Sequence, residues 1–307
     1  MKALNELTLF AETAKQGSFS KVANQMDMTP AAVSASIKRL EEQVGFPLFV
    51  RTTRRLSLTG EGELFLAKVN CALATLNEGV EEIANARGAL TGNIYVSAPS
   101  DFGRNLLLDW INEFTDLHEN VTVRLELSDQ LVDMYSKPID VAIRYGELPD
   151  SNMVAIPLCP QNVRVLCASP DYIRHHSPVL HPNDLNQHNC ISFMVAGSVH
   201  NHWPLSYDSQ QVVIETKGAI SANDGDVVRR LGLKGRGIVN KSLIDASQDI
   251  IEGKLRKVLP DWQGESVPLY MVCADKRQLR PIIREFQKFL KEKCQSQFDK
   301  VSDILNN

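Results

Sequence analysis

The feature that most constrains the fold is helical apolar spacing over the first 45 residues, interrupted twice by residues that end or begin helices. The first series stops before Gly17, a residue suited to the left-handed backbone that terminates a helix. Ser18 is a good N-cap for a second helix, predicted over 18–26. Thr29 followed by Pro30 predicts the start of a third helix. Two short helices joined by a tight turn make a helix-turn-helix.

The side chains at the start of the third helix are unusually small and uncharged. Small side chains allow it to enter a DNA major groove deeply, and Lys38 and Arg39 then reach phosphates. These small residues are Ala31, Ala32, Ser34, Ala35 and Ser36. A purely structural helical hairpin explains the apolar spacing equally well, although not the small first turn.

Two short strand patterns follow, around a basic tip, and predict a wing. Residues 1–60 hold eight basic and five acidic side chains, a balance of +3, whereas the whole chain is −4 and the remainder therefore −7. Such asymmetry favours a segment that meets a polyanion, and a solvated basic face without a partner is the alternative. The DNA-contacting candidates are Ser18, Thr29, Pro30, Ala31, Ser34, Lys38, Arg51, Thr53, Arg54 and Arg55.

A family resemblance rests on residues that occur here in a fixed order. They are Phe10, Gly17-Ser18-Phe19, Ala23, Pro30-Ala31-Ala32-Val33-Ser34, Ile37, Leu40-Glu41, Gly45, Leu48-Phe49, Arg51, Leu58-Thr59 and Gly62. The chain resembles the LysR-type transcriptional regulators, although Thr29 stands where the family often has glutamine. The resemblance implies a winged helix-turn-helix over 1–60, a dimerisation helix over 61–88 and an effector domain over 89–307. It also implies double-stranded operator DNA, a small effector, self-association into dimers or tetramers, and RNA polymerase as a candidate partner.

A heptad pattern follows Thr59, which is suited to cap the next helix. Its apolar positions are Leu66, Val69, Leu73, Leu76, Val80 and Ile83. The stripe fits a helix packed on its own domain as well as a dimer interface. A helix-turn-helix needs a paired copy to read two half-sites, which favours dimerisation.

From Gly92 onward, strand and helix patterns alternate, which predicts an α/β domain. A second series begins at Arg164, and the chain returns to the first with a strand over 269–274 and a closing helix over 281–294. We therefore expect a two-lobed α/β fold like that of periplasmic binding proteins. Lobe I comprises 92–163 and 268–300, and lobe II comprises 164–267.

Ligands of open α/β sheets bind at the carboxyl ends of strands. Ser100 follows one such end and begins a helix, where free N–H groups favour an anion. The effector-binding candidates are Pro99, Ser100, Phe102, Ser128, Arg144, Tyr145 and Asn223. The alternatives are that Ser100 only caps its helix, Arg144 only forms an ion pair and Asn223 is only a turn residue.

Enzyme and metal motifs are missing from the sequence. It contains no Walker loop, HExxH or GxSxG, and Gly235-Arg236-Gly237 lacks the third glycine of a dinucleotide fingerprint. We therefore expect no catalytic activity, cofactor or metal site, and six histidines between 175 and 202 suggest a solvated loop. The six cysteines lack disulfide or zinc spacing and are expected to be buried thiols.

Apolar runs are too short for a membrane span, and Lys2 and Glu6 do not fit a signal peptide. We therefore expect a cytoplasmic protein. The competing class is an enzyme or solute receptor built on the same two lobes, with 1–60 as a partner-binding module. Salt-sensitive binding to duplex DNA distinguishes the regulator from it.

Overall fold

A computed structural model describes residues 2–51, 56–85, 90–130, 139–146, 153–195, 197–274 and 279–306. The chain divides into two compact units, residues 1–87 and 88–307, and each unit has its own core.

The first unit contains four helices and a two-stranded antiparallel sheet within its described residues. The helices are α1 (Lys2–Gln16), α2 (Phe19–Gln25), α3 (Pro30–Val44) and α4 (Gly60–Asn85), and the strands are β1 (Phe49–Arg51) and β2 (Leu56–Leu58). The predicted caps are confirmed: the Ser18 hydroxyl accepts from the Lys21 N–H at 3.4 Å, and the Thr29 hydroxyl accepts from the Ala32 N–H at 3.2 Å. Thr59 also caps α4, accepting from the Gly62 N–H at 2.8 Å.

The first core joins α1, α2 and α3 to the wing strands and to the beginning of α4. Phe10, Val33, Ile37 and Leu48 are fully buried in it. At Gly62, an added Cβ atom would lie 2.2 Å from the Leu48 carbonyl oxygen, so any other residue would force α4 away from the wing.

The beginning of the heptad seam packs inside this unit. Val69 is only 2% exposed in the first core, and Leu66 and Leu73 pack against that core half-buried. The dimerisation role predicted for Val69 is therefore wrong, because burial within its own domain leaves no surface for a partner. Leu76, by contrast, is 54% exposed, and the side chains of Val80 and Ile83 lie outside the described part.

Within its described residues, the second unit contains three sheets. Its strands are β3 (Gly92–Ala98), β4 (Val121–Leu127), β5 (Val141–Tyr145), β6 (Val154–Cys159), β7 (Arg164–Ala168), β8 (Cys190–Val195), β9 (Ser198–His200), β10 (His202–Tyr207), β11 (Gln210–Glu215), β12 (Ser221–Ala222), β13 (Ile238–Ser242), β14 (Arg256–Lys257), β15 (Gln263–Gly264) and β16 (Leu269–Cys273). Its helices are α5 (Ser100–Phe102), a π-helical segment (Gly103–Leu107), α6 (Leu108–Leu117), α7 (Pro170–His175), a 3₁₀ helix (Pro182–Gln187), α8 (Gly225–Leu233), α9 (Leu243–Ile251) and α10 (Pro281–Asn306).

The sheets define the two lobes. Lobe I has the order β4-β3-β5-β16-β6, with β3 parallel to β4 and β5, and with β16 antiparallel to β5 and β6. Lobe II has the order β12-β8-β13-β7-β14, with β9 beside β8, and carries a three-stranded sheet β11-β10-β15. The chain leaves lobe I after β6 and returns at β16, so the two predicted crossings are confirmed.

Several details differ from the prediction. The closing helix extends from 294 to Asn306, because Val301 is buried in a lobe II cluster. The histidines do not form one loop: His200 ends β9, His202 begins β10 and His188 is buried. Cys71 is exposed, whereas the other five cysteines are buried. The sequence pattern after β4 also predicts a helix over about 130–135, and most of that segment lies outside the described residues.

None of the helices described is both long enough and apolar enough to cross a lipid bilayer.

Candidate nucleic-acid interface and interlobe cleft

The exposed face of α3 begins at its N-terminus. Thr29, Pro30 and Ala31 are exposed, and Ser34 is half-buried one turn later. Val33 and Ile37 on the opposite face are fully buried, so packing fixes which side of α3 faces outward. Small side chains on that side leave room for base edges to approach the helix. The predicted residues therefore share one accessible surface, which also includes Ala35, exposed one turn after Ala31.

Two adjacent basic residues of α3 differ in their partners. The Lys38 side chain is 73% exposed, and its Nζ lies 3.8 Å from a Glu42 carboxylate oxygen, an exposed pair that contributes little. Arg39 donates from Nε to Glu6 at 3.0 Å and from a terminal nitrogen to the Ser36 hydroxyl at 2.9 Å. One of these donations therefore ties α3 to α1, while the Arg39 side chain stays 56% exposed, and its contact with phosphates remains a prediction.

The wing is positioned by Glu41 on α3. Its Oε1 accepts from the backbone N–H groups of Leu48 at 2.8 Å and Phe49 at 3.1 Å, at the start of β1. Arg51 ends β1 opposite Leu56. The tip residues Thr53, Arg54 and Arg55 lie outside the described residues, so their contacts with DNA stay predictions.

In the second unit, strand register brings predicted cleft residues to one edge. Ala98 at the end of β3 pairs with Leu127 at the end of β4, and Ser97 pairs with Ala142 of the parallel strand β5. Ser100, Ser128 and Arg144 therefore lie along the carboxyl edge of three adjacent strands. Asn223, exposed after β12, lies two residues before the Gly225 N–H that contacts Ser100.

Ser100 is not free to receive a ligand. Its N–H donates to Asp129 Oδ1 at 2.7 Å, and its hydroxyl donates to Asp129 Oδ2 at 2.5 Å. The Gly225 N–H also donates to Asp129 Oδ2, at 2.8 Å, so both lobes bond to this carboxylate. In this arrangement an internal carboxylate occupies the donors of Ser100, so the predicted effector contact of Ser100 remains a prediction that requires Asp129 to be displaced.

Two other predicted cleft residues also contact groups within the protein. Phe102 is fully buried in the lobe I core, where its ring packs edge-on against Trp110. The Tyr145 hydroxyl donates to Asp245 across the lobes, and burial, followed by the Asp245 charge, holds the pKa of Tyr145 well above its usual value. Phe102 therefore has no exposed surface for an effector, whereas Tyr145 is half-buried and its effector contact remains a prediction.

The remaining candidates keep some accessible surface. Pro99 and Ser128 are half-buried, and the Ser128 hydroxyl accepts from the Gln130 N–H at 3.2 Å. Half-buried Arg144 donates to the Ser97 hydroxyl at 2.7 Å rather than forming a simple ion pair, and burial lowers its pKa.

A charged network that the sequence did not reveal joins the lobes beneath Ser100. Asp101 of lobe I pairs with Lys241 of lobe II, and Arg104 pairs with Asp224 at 2.9 Å. Arg229 donates to Asn105 of lobe I at 3.1 Å. The paired groups are far apart in sequence. The sequence shows only that charged residues occur within segments of apolar pattern, which does not identify their partners.

Burial dominates the electrostatics of this network. It raises the pKa of Asp101 to about 7, against the opposing charge of Lys241. Burial acts to lower the pKa of Lys241, but the carboxylates of Asp101 and Asp245 outweigh it and raise that pKa above its usual value. Burial therefore favours the protonated form of Asp101, while the Lys241 charge favours its ionised form.

Asn162 holds the two interlobe crossings together. Its buried amide nitrogen donates to the Val267 carbonyl at 2.7 Å, and its amide oxygen accepts from the Ile244 N–H at 3.1 Å. One side chain therefore bonds the outgoing crossing to the returning one. Sequence reasoning missed Asn162, because an asparagine between strands is typical of an ordinary turn.

Family models match both parts of the chain. Residues 4–63 match the bacterial regulatory helix-turn-helix protein, lysR family, and residues 87–295 match the LysR substrate binding domain.

Similar proteins include the HTH-type transcriptional regulator CrgA of Neisseria meningitidis serogroup B, 32% identical, covering 94% of this chain and 95% of that protein. The HTH-type transcriptional regulator DmlR of Escherichia coli K12 is 30% identical, covering 84% of each chain. The solved structure of CrgA superposes with a TM-score of 0.62 at 30% identity, covering 94% of this chain and 98% of that one. The full-length structure of AphB, a virulence activator of Vibrio cholerae, gives 0.56 at 26% identity, covering 94% and 98%. The chain therefore belongs to the LysR family of transcriptional regulators, which combine a helix-turn-helix DNA-binding domain with an effector-binding domain.

Proposed function

We propose that the exposed face of α3 enters the major groove of an operator, with Pro30, Ala31 and Ser34 toward base edges and Lys38 toward phosphates. The observation that carries this proposal is the small, exposed surface at the start of α3, directly opposite a buried face. Ser18 and Thr29 cap the two helices and orient this surface. The wing residues from Arg51 to Arg55 add sequence-independent attraction to the backbone.

Two copies of the chain pair through α4 beyond the segment buried in the first unit. Leu76 supports this assignment, because more than half of its apolar side chain is exposed on the predicted seam. Pairing places two α3 helices on one duplex, as half-site recognition requires.

A small molecule acts at the interlobe cleft, where Ser128, Arg144 and Asn223 retain accessible surface. Its binding regulates DNA binding only if its affinity differs between two arrangements of the protein. The protein acts in the cytoplasm, where operator DNA lies, without catalysing a reaction. RNA polymerase is the partner through which such a regulator alters transcription.

Selection of duplexes from a random pool tests this function. The full-length chain should enrich a recurrent sequence and bind it more tightly than a scrambled duplex. Affinity should fall steeply between about 50 and 200 mM salt, as phosphate neutralisation requires. Failure to enrich a sequence, together with salt-insensitive binding, would contradict the proposal and favour a two-lobed receptor.

A further inference from the structure

The most informative feature of the cleft is one carboxylate held by donors from both lobes. Asp129 of lobe I accepts from the Ser100 N–H and hydroxyl and from the Gly225 N–H of lobe II, at 2.5–2.8 Å. Both carboxylate oxygens take part: Oδ1 accepts one bond and Oδ2 accepts two. Distances in this range are typical of charge-assisted hydrogen bonds.

The donors have the arrangement of an anion site. Ser100 begins the helical segment running from α5 through the π segment into α6, and Gly225 begins the nine-residue helix α8. Free N–H groups at helix starts attract negative charge, and here two starts meet on one group. Glycine suits position 225, because an added Cβ atom would lie 3.3 Å from Asp101 Cβ, closer than most Cβ contacts in proteins.

The surroundings disfavour a second anion. An Asp224 carboxylate oxygen lies 3.3 Å from the Ser100 hydroxyl oxygen. The Arg104 cation beside it already pairs with Asp224, at 2.9 Å. A soluble carboxylate approaching Ser100 would face Asp129 and Asp224 and would find the converging donors already bonded. Like charges at such distances oppose binding strongly in a partly buried site.

We propose that Asp129 is an internal ligand of this interlobe anion site, occupying the position that a carboxylate effector would take. The inference rests on the proposed effector cleft and narrows its ligand class. An effector acting beside Ser128 and Arg144 carries no free carboxylate directed at Ser100, because Asp129 already supplies that group. Removing the Asp129 carboxylate converts the occupied position into an open site for small carboxylates.

Chemical replacement of the missing carboxylate tests this proposal. The full-length Asp129→Ala protein should unfold about 5–10 °C below wild type, because charge-assisted bonds joining the lobes are lost. Formate, compared with chloride at equal ionic strength, should restore about half of that loss with saturable concentration dependence. Wild type and Asp116→Ala, which removes an exposed carboxylate of α6, should show no formate-specific gain.

A folded Asp129→Ala protein without a formate response would overturn the proposal, as would an equal formate response in wild type. If Asp129→Ala does not fold alone, refolding in formate rather than chloride should recover soluble protein, and equal failure in both salts would refute the assignment. Asp129→Asn, which keeps the side-chain volume, should be destabilised less and show no formate response, and a response equal to that of Asp129→Ala would contradict site occupancy. None of these measurements involves DNA, so loss of operator regulation alone would refute the proposed function and leave this result unchanged.

Discussion

The exposed face of α3 and the interlobe cleft use polar groups in opposite ways. On α3, Ala31 and Ala35 leave the surface open, and the exposed Lys38 ammonium lies 3.8 Å from a Glu42 carboxylate oxygen. In the cleft, Ser100 and Asp101 are buried, and each bonds to a group from the other lobe. The first surface is therefore ready for a partner, whereas the second already has internal partners that an effector must accommodate or displace.

The largest expected effect comes from placing a charge on the open surface. Ala31→Glu should weaken operator binding by about three orders of magnitude, down to non-specific affinity, because a carboxylate would enter the groove between phosphates. Footprinting of the selected operator measures this loss.

The control for that experiment is Ala219→Glu, which adds the same charge at an exposed position in the second unit. It should bind DNA like wild type, and both variants should keep the wild-type circular dichroism spectrum. A wild-type footprint for Ala31→Glu would contradict the assignment of α3 to the major groove.

A second test separates the two halves of the α4 seam. Leu76→Asp should raise the dimer dissociation constant about 100-fold, because an unpaired charge would be buried between copies. Sedimentation at several concentrations measures the shift. Leu64→Asp, at a 75% exposed leucine of the same helix outside the seam, is the matched control. Unchanged sedimentation of Leu76→Asp would mean that Leu76 faces solvent in the assembled protein.

These two surfaces also show what sequence reasoning can reach. The cap at Thr29 and the start of α3 were predictable because the bonding groups lie three residues apart. Ser100 was placed correctly at a strand end, but its partners Asp129 and Gly225 are 29 and 125 residues away in sequence. Sequence indicates which groups reach the edge of a sheet, but not which of them bond to each other.

The extra length of α10 has the same explanation. Its first turns carry the apolar residues of the lobe I core, whereas Val301 is buried against lobe II. The apolar spacing that fits the lobe I core stops near Cys294, so sequence reasoning ends the helix there. The different partners of Arg39 and Lys38 were also not predictable from sequence, because Glu6, which accepts from Arg39, lies 33 residues before it.

The pH dependence of stability tests the interlobe cleft, where charged groups already have internal partners. The pKa of Asp101 is about 7 in the folded protein and near 3.8 when unfolded, so the folded state retains a proton that the unfolded state releases. Asp101 therefore stabilises most below about pH 4, and its contribution falls as pH rises to about 7. The stability advantage of wild type over Asp101→Asn should shrink across this window, by at most about 1.4 kcal/mol per pH unit.

Urea unfolding at half-unit pH steps measures that difference. Asp116→Ala, which removes an exposed carboxylate, is the control. A constant gap between wild type and Asp101→Asn from pH 4 to 7 would show that Lys241 keeps Asp101 ionised throughout.

The smallest expected effect distinguishes the neighbouring cations of α3. Lys38→Ala should weaken operator and scrambled duplexes alike, by about threefold, and reduce the slope of log affinity against log salt by about one. Arg39→Ala should leave that slope unchanged and instead lower thermal stability, because Glu6 loses the donor that ties α1 to α3. Filter binding from about 50 to 200 mM salt, with thermal unfolding of both variants, measures the contrast. If Arg39→Ala reduced the slope as much as Lys38→Ala, Arg39 would have to leave Glu6 when DNA binds, and the α3 surface would be less preformed than its contacts indicate.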